Sequence, residues 1–351
     1  MENIAEKYSK FNSIGTMWLW FIPAAIITFF MSLKMVKYAE VVIEKTKFGG
    51  AFVGGALVSV ATSLTELVTE ITQGVNGTPA VGLSDDMGAN MFSTFMITVV
   101  LLVFIKQMFA KKLDKWTVFS MIFSLIITII LTIVVWFGND LHISKGGKIA
   151  IGLIPIFFVF AYFIYVGLSY KYGTEDEQVD GVVSNISAKK GVFGFLFFAL
   201  LLLGAAVFLN LTIDAMMKTY GLKPKSAGGI FLSMTTAMPE VVSLVVLIRA
   251  RQPIAAVASI IGSHIFNLSL IFWGDIAFAS HPILEGPNVS GIAGVWILGA
   301  ITAIELSLLI VFVIISKKIK SKWVYAIMPS LIIATYIIGW IIMLTVPALS
   351  A

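Results

Sequence analysis

The chain has 351 residues, of which 59% are apolar and 12% are charged, and its mean hydropathy is +0.99. Soluble domains carry about 45–50% apolar and roughly 25% charged residues, so this composition excludes a soluble globular protein, and it excludes a disordered one. A scattered net charge of +5 does not favour nucleic-acid binding. The absence of cysteine excludes disulfides, thiolate metal sites and cysteine nucleophiles.

Ten segments are long and apolar enough to predict transmembrane helices, each of which needs about 20 residues. In chain order they are 17–38, 50–73, 80–105, 116–138, 147–170, 191–217, 226–248, 253–277, 291–316 and 323–347. Of the 24 lysines and arginines, 17 fall in the odd-numbered loops and seven in the N-terminal segment and even-numbered loops. Positive charge collects in cytoplasmic loops, so we expect both termini outside.

An internal repeat divides these helices into two halves. Residues 54–93 align with 228–267 at a constant offset of 174, and nine of the 40 columns are identical, including Glu66/Glu240 and Pro79/Pro253. The copies are five spans apart, so the second enters the membrane from the opposite side. We therefore predict an all-α polytopic membrane protein in an inverted 5+5 repeat. The halves are 1–170 and 191–351, joined by a polar cytoplasmic linker, 171–190.

Inverted repeats are typical of secondary transporters, whose sites lie near the bilayer midplane between the copies. Glu66 and Glu240 stand in the middle of the second and seventh spans, where an ionisable group costs roughly 2.5–3.5 kcal/mol on insertion scales. Other polar residues share their helix faces at helical spacing, namely Ser59, Thr62, Ser63 and Glu70 in span 2, and Ser233, Thr236 and Ser243 in span 7. Pro239 also frees a backbone carbonyl that can coordinate a cation.

The third and eighth spans add further polar side chains, which are Asp85, Asp86, Asn90 and Ser93, and Ser259, Ser263, His264 and Asn267. Oxygen ligands with two carboxylates fit hard cations, above all Ca²⁺ and then Mg²⁺ or Mn²⁺. Simpler interpretations stay open at this point. The hydroxyls can bond their own helix backbone or a neighbouring helix, the two aspartates can cap a helix start, Glu70 can face water, and His264 can be a packing residue.

Two motifs carry a family resemblance. Residues 61–66 (ATSLTE) followed by 88–93 (GANMFS), and residues 235–240 (TTAMPE) followed by 262–267 (GSHIFN), resemble the two alpha-repeats of sodium/calcium exchangers in the calcium/cation antiporter superfamily. The glutamate-to-glycine spacing of 22 fits both repeats. The resemblance implies alternating-access exchange of Ca²⁺ for Na⁺, H⁺ or both Na⁺ and K⁺. The short linker argues against the regulatory domains of animal exchangers and favours a divergent prokaryotic-type member.

By this resemblance Glu66 and Glu240 are the ion-binding carboxylates. The resemblance further implies side-chain ligands at Thr62, Ser63, Ser93, Thr236, Ser263 and Asn267, and backbone-carbonyl ligands at Ser59 and Ser233. Candidates for a proton or coupling-ion site are Glu70, Asp85, Asp86 and His264.

The departures from the family pattern concern the coupling ion. Ala237 replaces a serine ligand and Ala89 replaces another small polar ligand, while Thr65 replaces the first proline. Since at least two oxygen ligands are missing, we expect coupling to H⁺ or to fewer Na⁺ ions, with Asp85 as a titratable replacement.

The sequence thus predicts a cation antiporter of the cytoplasmic membrane that moves Ca²⁺ or a similar divalent ion, with small inorganic cations and the lipid bilayer as its partners, and no cofactor. The alternatives are a monovalent Na⁺/H⁺ exchanger, a channel-like conductor and a transport-inactive member. An intramembrane enzyme is disfavoured, since the chain has no H-E-x-x-H motif, no cysteine, and three histidines of which only His264 lies at membrane depth.

Overall fold

The computed structural model describes residues 14–45, 50–104, 115–137, 142–145, 149–173, 185–221, 227–284 and 322–345. Within these ranges, the part that precedes the linker contains seven α-helices, a π-helical turn and two short strands. These are α1 (Ile14–Lys45), α2 (Gly50–Phe52), π1 (Val53–Val58), α3 (Ser59–Thr62), α4 (Leu64–Val75), α5 (Pro79–Val103), α6 (Lys115–Phe137), β1 (His142–Lys145), β2 (Ile149–Gly152) and α7 (Leu153–Tyr172).

The later part repeats the same order where it is described. Its elements are α8 (Ala188–Tyr220), π2 (Ala227–Leu232), α9 (Ser233–Thr236), α10 (Met238–Arg249), α11 (Pro253–Phe278) and α12 (Lys322–Thr345). The predicted ninth span, 291–316, lies outside the described residues. Within those residues, seven helical stretches are long and apolar enough to cross a membrane.

The predicted fifth span, 147–170, is wrong at its start. Residues 149–152 form β2, which pairs antiparallel with β1, and the helix begins only at Leu153. Two backbone N–H groups, of Gly152 and Ile283, donate to the carboxylate of Asp275 at 2.8 and 2.7 Å and so tie the hairpin to the end of α11. The protein is therefore nearly, but not entirely, helical. The first helix also runs to Lys45, seven residues beyond the predicted end.

Helix α11 is the centre of the molecule. Its residues from Pro253 to Ile271 are buried without interruption, and it packs against α4, π1, α7, α10, α5 and α6. A helix buried on every face belongs to the interior of a large assembly of helices. By contrast, α1, α6, α7 and α8 expose large apolar side chains on their outer faces, among them Leu19, Phe119, Phe163 and Phe193.

The second and seventh predicted spans are broken in the same way. In each, a π-helical turn is followed by one short α-helical turn, and the helix is interrupted at Ser63 (φ −86°, ψ 10°) or Ala237 (φ −76°, ψ −1°) before it resumes. These two positions are equivalent at the offset of 174. The predicted proline effect accounts only for the second break, since Pro239 follows Ala237 whereas Thr65 stands at the equivalent position of the first.

Four glycines let each π-turn lie directly on the helix of the other repeat. A β-carbon on Gly54 would collide with the carbonyl of Ala255, and one on Gly228 would collide with that of Val81. A second pair behaves alike, with Gly262 against the Gly55 carbonyl and Gly88 against the Gly229 carbonyl. Every one of these contacts maps onto its partner at the offset of 174. The repeat found in the sequence is thus a repeat of three-dimensional contacts, in which π1 packs on α11 and π2 on α5.

Candidate functional site

The two helix breaks place Glu66 and Glu240 at the start of α4 and α10, deep in the interior. Both side chains have no exposed surface. Each is the acidic residue in the first turn of its helix, where the free N–H groups and the helix dipole favour negative charge. The sequence prediction that these residues occupy equivalent buried positions agrees with this geometry.

Hydrogen bonds join the two repeats across this centre. Ser63 Oγ donates to Glu240 Oε1 at 3.0 Å. The hydroxyl of Thr65 lies 2.7 Å from Glu66 Oε2 and 3.0 Å from the carbonyl oxygen of Thr236. The breaks in α3–α4 and α9–α10 therefore face each other, and the two glutamates belong to one site.

The site is not symmetric, because Ala237 stands where Ser63 stands in the first repeat. The missing hydroxyl leaves Glu66 with one oxygen, Oε1, that accepts no hydrogen bond, and Glu240 Oε2 and Asn267 Oδ1 are likewise buried without a partner. Buried oxygens of this kind cost free energy unless something satisfies them. Within the part of the chain that the structure describes, no lysine or arginine is buried, so no such side chain there neutralises these carboxylates.

The predicted hydroxyl ligands lie around this centre but most of them also bond their own helix. Thr62 Oγ1 donates to Val58 O at 2.9 Å, Ser263 Oγ to Ser259 O at 2.9 Å, and Thr236 Oγ1 lies within reach of both Leu232 O and Asp85 Oδ1. A hydroxyl that donates its proton keeps lone pairs that can face a cation. These bonds are therefore compatible with both the ligand prediction and the structural alternative.

The Ser59 and Ser233 carbonyls, the predicted backbone ligands, each accept one backbone hydrogen bond. Ser59 O accepts from Ser63 N–H and Ser233 O accepts from Ala237 N–H, both at 3.0 Å. The hydroxyls of Thr62 and Thr236 lie 3.0 and 3.3 Å from these oxygens, but each has one proton and a closer acceptor. Since a carbonyl oxygen has two lone pairs, each carbonyl keeps one that can face a cation.

A second polar layer joins α5 to α11 beside the glutamates. Asn267 Nδ2 donates to Asn90 Oδ1 at 2.9 Å, and Ser93 Oγ lies 2.9 Å from His264 Nε2. Positions 93 and 267 are equivalent in the repeat, as are 90 and 264, so this is one contact made twice. Thr94 Oγ1 also lies 3.3 Å from His264 Nε2. His264 is thus built into the layer between the repeats and is not an isolated packing residue.

The remaining predicted acids lie on the first-repeat side of the centre. Asp85 Oδ1 accepts from Thr236 Oγ1 at 3.0 Å, whereas both oxygens of Glu70 and of Asp86 accept no hydrogen bond. All three side chains are at most 1% exposed, so in this structure Glu70 does not face water. Asp85 and Asp86 lie seven and eight residues beyond Thr78, the residue before the first turn of α5, too far to cap that helix start.

Sequence reasoning missed a network that ties α8 to α4. Asn210 Nδ2 donates to Thr69 Oγ1 at 2.8 Å, and Gln73 Nε2 donates to Asn210 Oδ1 at 3.2 Å and to Asp214 Oδ1 at 3.0 Å. Asn76 Nδ2 donates to Asp214 Oδ2 at 2.7 Å. The available signal was the spacing of Asn210 and Asp214, which are four residues apart on one face of a long apolar helix.

No group of three or more histidine or acidic side chains in the described ranges is close enough to hold a metal ion together. A cation placed between Glu66 and Glu240 would therefore need its other ligands from hydroxyl, amide and backbone oxygens, which are ligands that hard cations accept.

Comparison with known proteins decides the family. The profile of the sodium/calcium exchanger protein family matches twice, over residues 16–171 and 190–345, which together make up most of the chain. The chain belongs to the sodium/calcium exchanger family. It is accordingly a multi-pass membrane protein of a cation-exchanger family, as its motifs indicate.

Solved structures of the sodium-calcium exchanger NCX_Mj share the fold of this exchanger-family protein. One, soaked with 2.5 mM Na⁺ and 0.1 mM Sr²⁺, matches with a TM-score of 0.64 at 15% identity over 94% of this chain and 99% of the other. Another, soaked with 2.5 mM Na⁺ and 0.1 mM Ca²⁺, gives 0.63 at 15% identity over 94% and 98%. A third, soaked with neither ion, gives 0.61 at 15% over 94% and 99%. No curated protein sequence matches the chain.

Proposed function

We propose that the protein is a secondary-active antiporter that moves Ca²⁺ or a similar divalent cation across the cytoplasmic membrane by alternating access. The observation that carries the proposal is the pair of buried glutamates, Glu66 and Glu240, each with an oxygen that accepts no hydrogen bond. Two ionised carboxylates neutralise the charge of one divalent cation, and Ca²⁺ prefers oxygen ligands. The Na⁺, Ca²⁺ and Sr²⁺ soaks of the NCX_Mj structures support the same ion class.

The architecture that we propose for this function has ten transmembrane helices in an inverted 5+5 repeat. Both termini lie outside, and the halves, 1–170 and 191–351, are joined by the linker 171–190. The equivalent contacts that π1 makes with α11 and π2 makes with α5 support a pseudo-twofold axis between the halves. An axis of this kind allows one site to open to each side in turn.

For the coupling ion we propose H⁺, or fewer Na⁺ ions than an exchanger with the full set of oxygen ligands uses. Ala237 and Ala89 supply no side-chain oxygen at two positions where the family has one. Asp85, which accepts a hydrogen bond from Thr236 beside the centre, supplies a carboxylate instead. A monovalent Na⁺/H⁺ exchanger would use the same acids without binding a divalent ion.

The test is uptake of ⁴⁵Ca²⁺ into liposomes that contain the purified protein. Uptake is measured first with an outward Na⁺ gradient and then with an outward H⁺ gradient, with Mg²⁺ and Mn²⁺ as competitors. We expect saturable uptake driven by H⁺, at least 100-fold reduced in Glu240→Gln, because that variant removes one of two carboxylates from the ion. Asp214→Asn is the matched control, since it neutralises a buried acid outside the centre; it should keep the Ca²⁺ concentration for half-maximal uptake, even where weaker hydrogen bonds between α8 and α4 change the turnover rate.

Each outcome separates the candidates. Uptake that needs Na⁺ and ignores pH contradicts the proposed coupling but leaves Ca²⁺ as substrate. Na⁺ flux driven by a pH gradient, without competition from divalent ions, identifies the monovalent exchanger. Flux that does not saturate identifies a channel-like conductor, and no flux of any ion identifies a transport-inactive member.

A further inference from the structure

The first repeat contains three buried acids that the second repeat lacks. Glu70, Asp85 and Asp86 are at most 1% exposed, and their equivalents at the offset of 174 are Leu244, Ser259 and Ile260. The glutamates, the helix breaks and the π-turns of the centre, by contrast, occur in both halves. Any role of the three acids is therefore confined to the first repeat.

Two glycines leave the space that the Glu70 carboxylate fills. A β-carbon on Gly82 of α5 would lie 3.0 Å from Glu70 Cδ, and one on Gly274 of α11 would lie 2.9 Å from the same atom. The equivalents in the other repeat are Ala256 and Val100, so the glycines accompany the carboxylate and are absent where Leu244 replaces it. The chain thus holds Glu70 in a fitted recess between two helices.

Among the described residues, neither Glu70 nor Asp86 has a hydrogen-bond partner for either of its two carboxylate oxygens. Glu70 lies against Gly82 of α5, and Asp86 stands four residues further along the same face of that helix. Two unpartnered carboxylates buried on neighbouring helices need a positive charge, which a cation or bound protons can supply. No buried lysine or arginine in the described residues provides it.

We propose that Glu70 and Asp86 form a second binding site for a divalent cation, one helical turn from Glu66 toward the turn between α4 and α5. This proposal rests on the proposed function, because it treats the second site as a stop on the path of the transported ion. Four residues of helix separate the two glutamates by about 6 Å along the axis.

Equilibrium binding of ⁴⁵Ca²⁺ to the purified full-length protein tests this directly. We expect two bound ions per chain in the wild type, one in Glu70→Gln/Asp86→Asn, one in Glu240→Gln and none when these changes are combined. Asp214→Asn, which neutralises a buried acid that already accepts hydrogen bonds, should still bind two ions.

A variant that keeps both carboxylates tests the second site without removing a charged group. Gly82→Ala pushes a methyl group into the Glu70 carboxylate, so we expect the second ion to bind at least tenfold more weakly while the first is unchanged. Gly167→Ala is the control, because its β-carbon meets no atom within 4 Å. Equal binding in the two alanine variants would overturn the second site.

The outcomes distinguish the second-site proposal from the transport proposal on which it rests. One bound ion, lost in Glu240→Gln and kept in Glu70→Gln/Asp86→Asn, contradicts the second site and leaves the transport proposal standing. Two ions that both persist in Glu240→Gln contradict the transport site. Absence of binding in the wild type overturns both.

Discussion

At the scale of single residues, the two equivalent glutamates are held differently. Glu240 Oε1 accepts a hydrogen bond from Ser63 of the other repeat, whereas Glu66 Oε2 accepts one from its own neighbour, Thr65. Hydrogen bonds to charged groups contribute about 1.5–3 kcal/mol. Because Ala237 has no hydroxyl, Glu66 lacks the hydrogen bond between the repeats that Glu240 has.

Two separate substitutions, Ser63→Ala and Ala237→Ser, should change Ca²⁺ affinity in opposite directions. We expect Ser63→Ala to weaken Ca²⁺ binding roughly tenfold or more, because a loss of about 1.4 kcal/mol is tenfold in affinity. We expect Ala237→Ser to strengthen Ca²⁺ binding and to increase the stimulation of uptake by Na⁺, because it restores a ligand oxygen. Calorimetric titration of the purified variants measures the first effect and liposome uptake the second. Unchanged affinity in Ser63→Ala would show that its hydroxyl does not support the ion.

The sequence identifies the two glutamates, because a carboxylate in the middle of an apolar span has few roles other than function. It does not identify their partners. The approach of Thr65 Oγ1 to Thr236 O spans 171 residues, and nothing in local spacing reveals it. Nor does the spacing indicate that Glu70 is enclosed by Gly82 and Gly274, since three separate helices meet there.

At the scale of elements, the close contacts between each π-turn and the opposite helix determine the shape of the centre. They bring backbone against backbone, so no flexible side chain can move aside to relieve added volume. Overpacking a core usually costs about 1–3 kcal/mol of stability. We expect a side chain forced against rigid backbone to cost an amount near the upper limit of that range.

We predict that Gly262→Ala and Gly88→Ala, equivalent changes on α11 and α5, each lower thermal stability, and that each abolishes uptake. Gly167→Ala and Gly204→Ala should leave both unchanged or slightly raise stability, because alanine favours helix over glycine by about 1 kcal/mol and neither site has a neighbour within 4 Å. Melting temperature in detergent is the measurement. A Gly262→Ala protein as stable as Gly167→Ala would contradict the contact.

Helices were predictable where the apolar run was long, and the errors have physical reasons. The segment Ile149–Gly152 continues an apolar run, and periodicity alone cannot distinguish a short strand from a helix there. The break at Ala237 could be expected from Pro239, but the break at Ser63 occurs without proline, so the local sequence does not reveal it.

At the scale of the whole molecule, the orientation of the helices remains a prediction from the distribution of positive charge. The chain contains no cysteine, so single cysteines can be introduced without altering the background. Lys189 and Lys218 are exposed near opposite ends of α8, about 43 Å apart at 1.5 Å per residue.

We expect Lys218→Cys to react with a membrane-impermeant maleimide in intact cells and Lys189→Cys to react only after the membrane is permeabilised. The reason is that 189 lies in the predicted cytoplasmic linker. The reverse pattern would place the termini inside and contradict the charge argument. Labelling of both in intact cells would contradict a membrane-spanning α8.

The hydrogen bonds between α8 and α4 have a consequence for the rate at which the molecule changes conformation. The other repeat cannot form the same bonds, since the positions equivalent to Asn210, Gln73 and Asn76 are Val36, Leu247 and Ala250, and only Asp214 has a charged equivalent, Glu40. Displacement of α8 along α4 must break several amide and carboxylate hydrogen bonds that displacement of α1 along α10 does not meet. We expect a carrier built in this way to turn over at two different rates when the same ion gradient is applied in opposite directions.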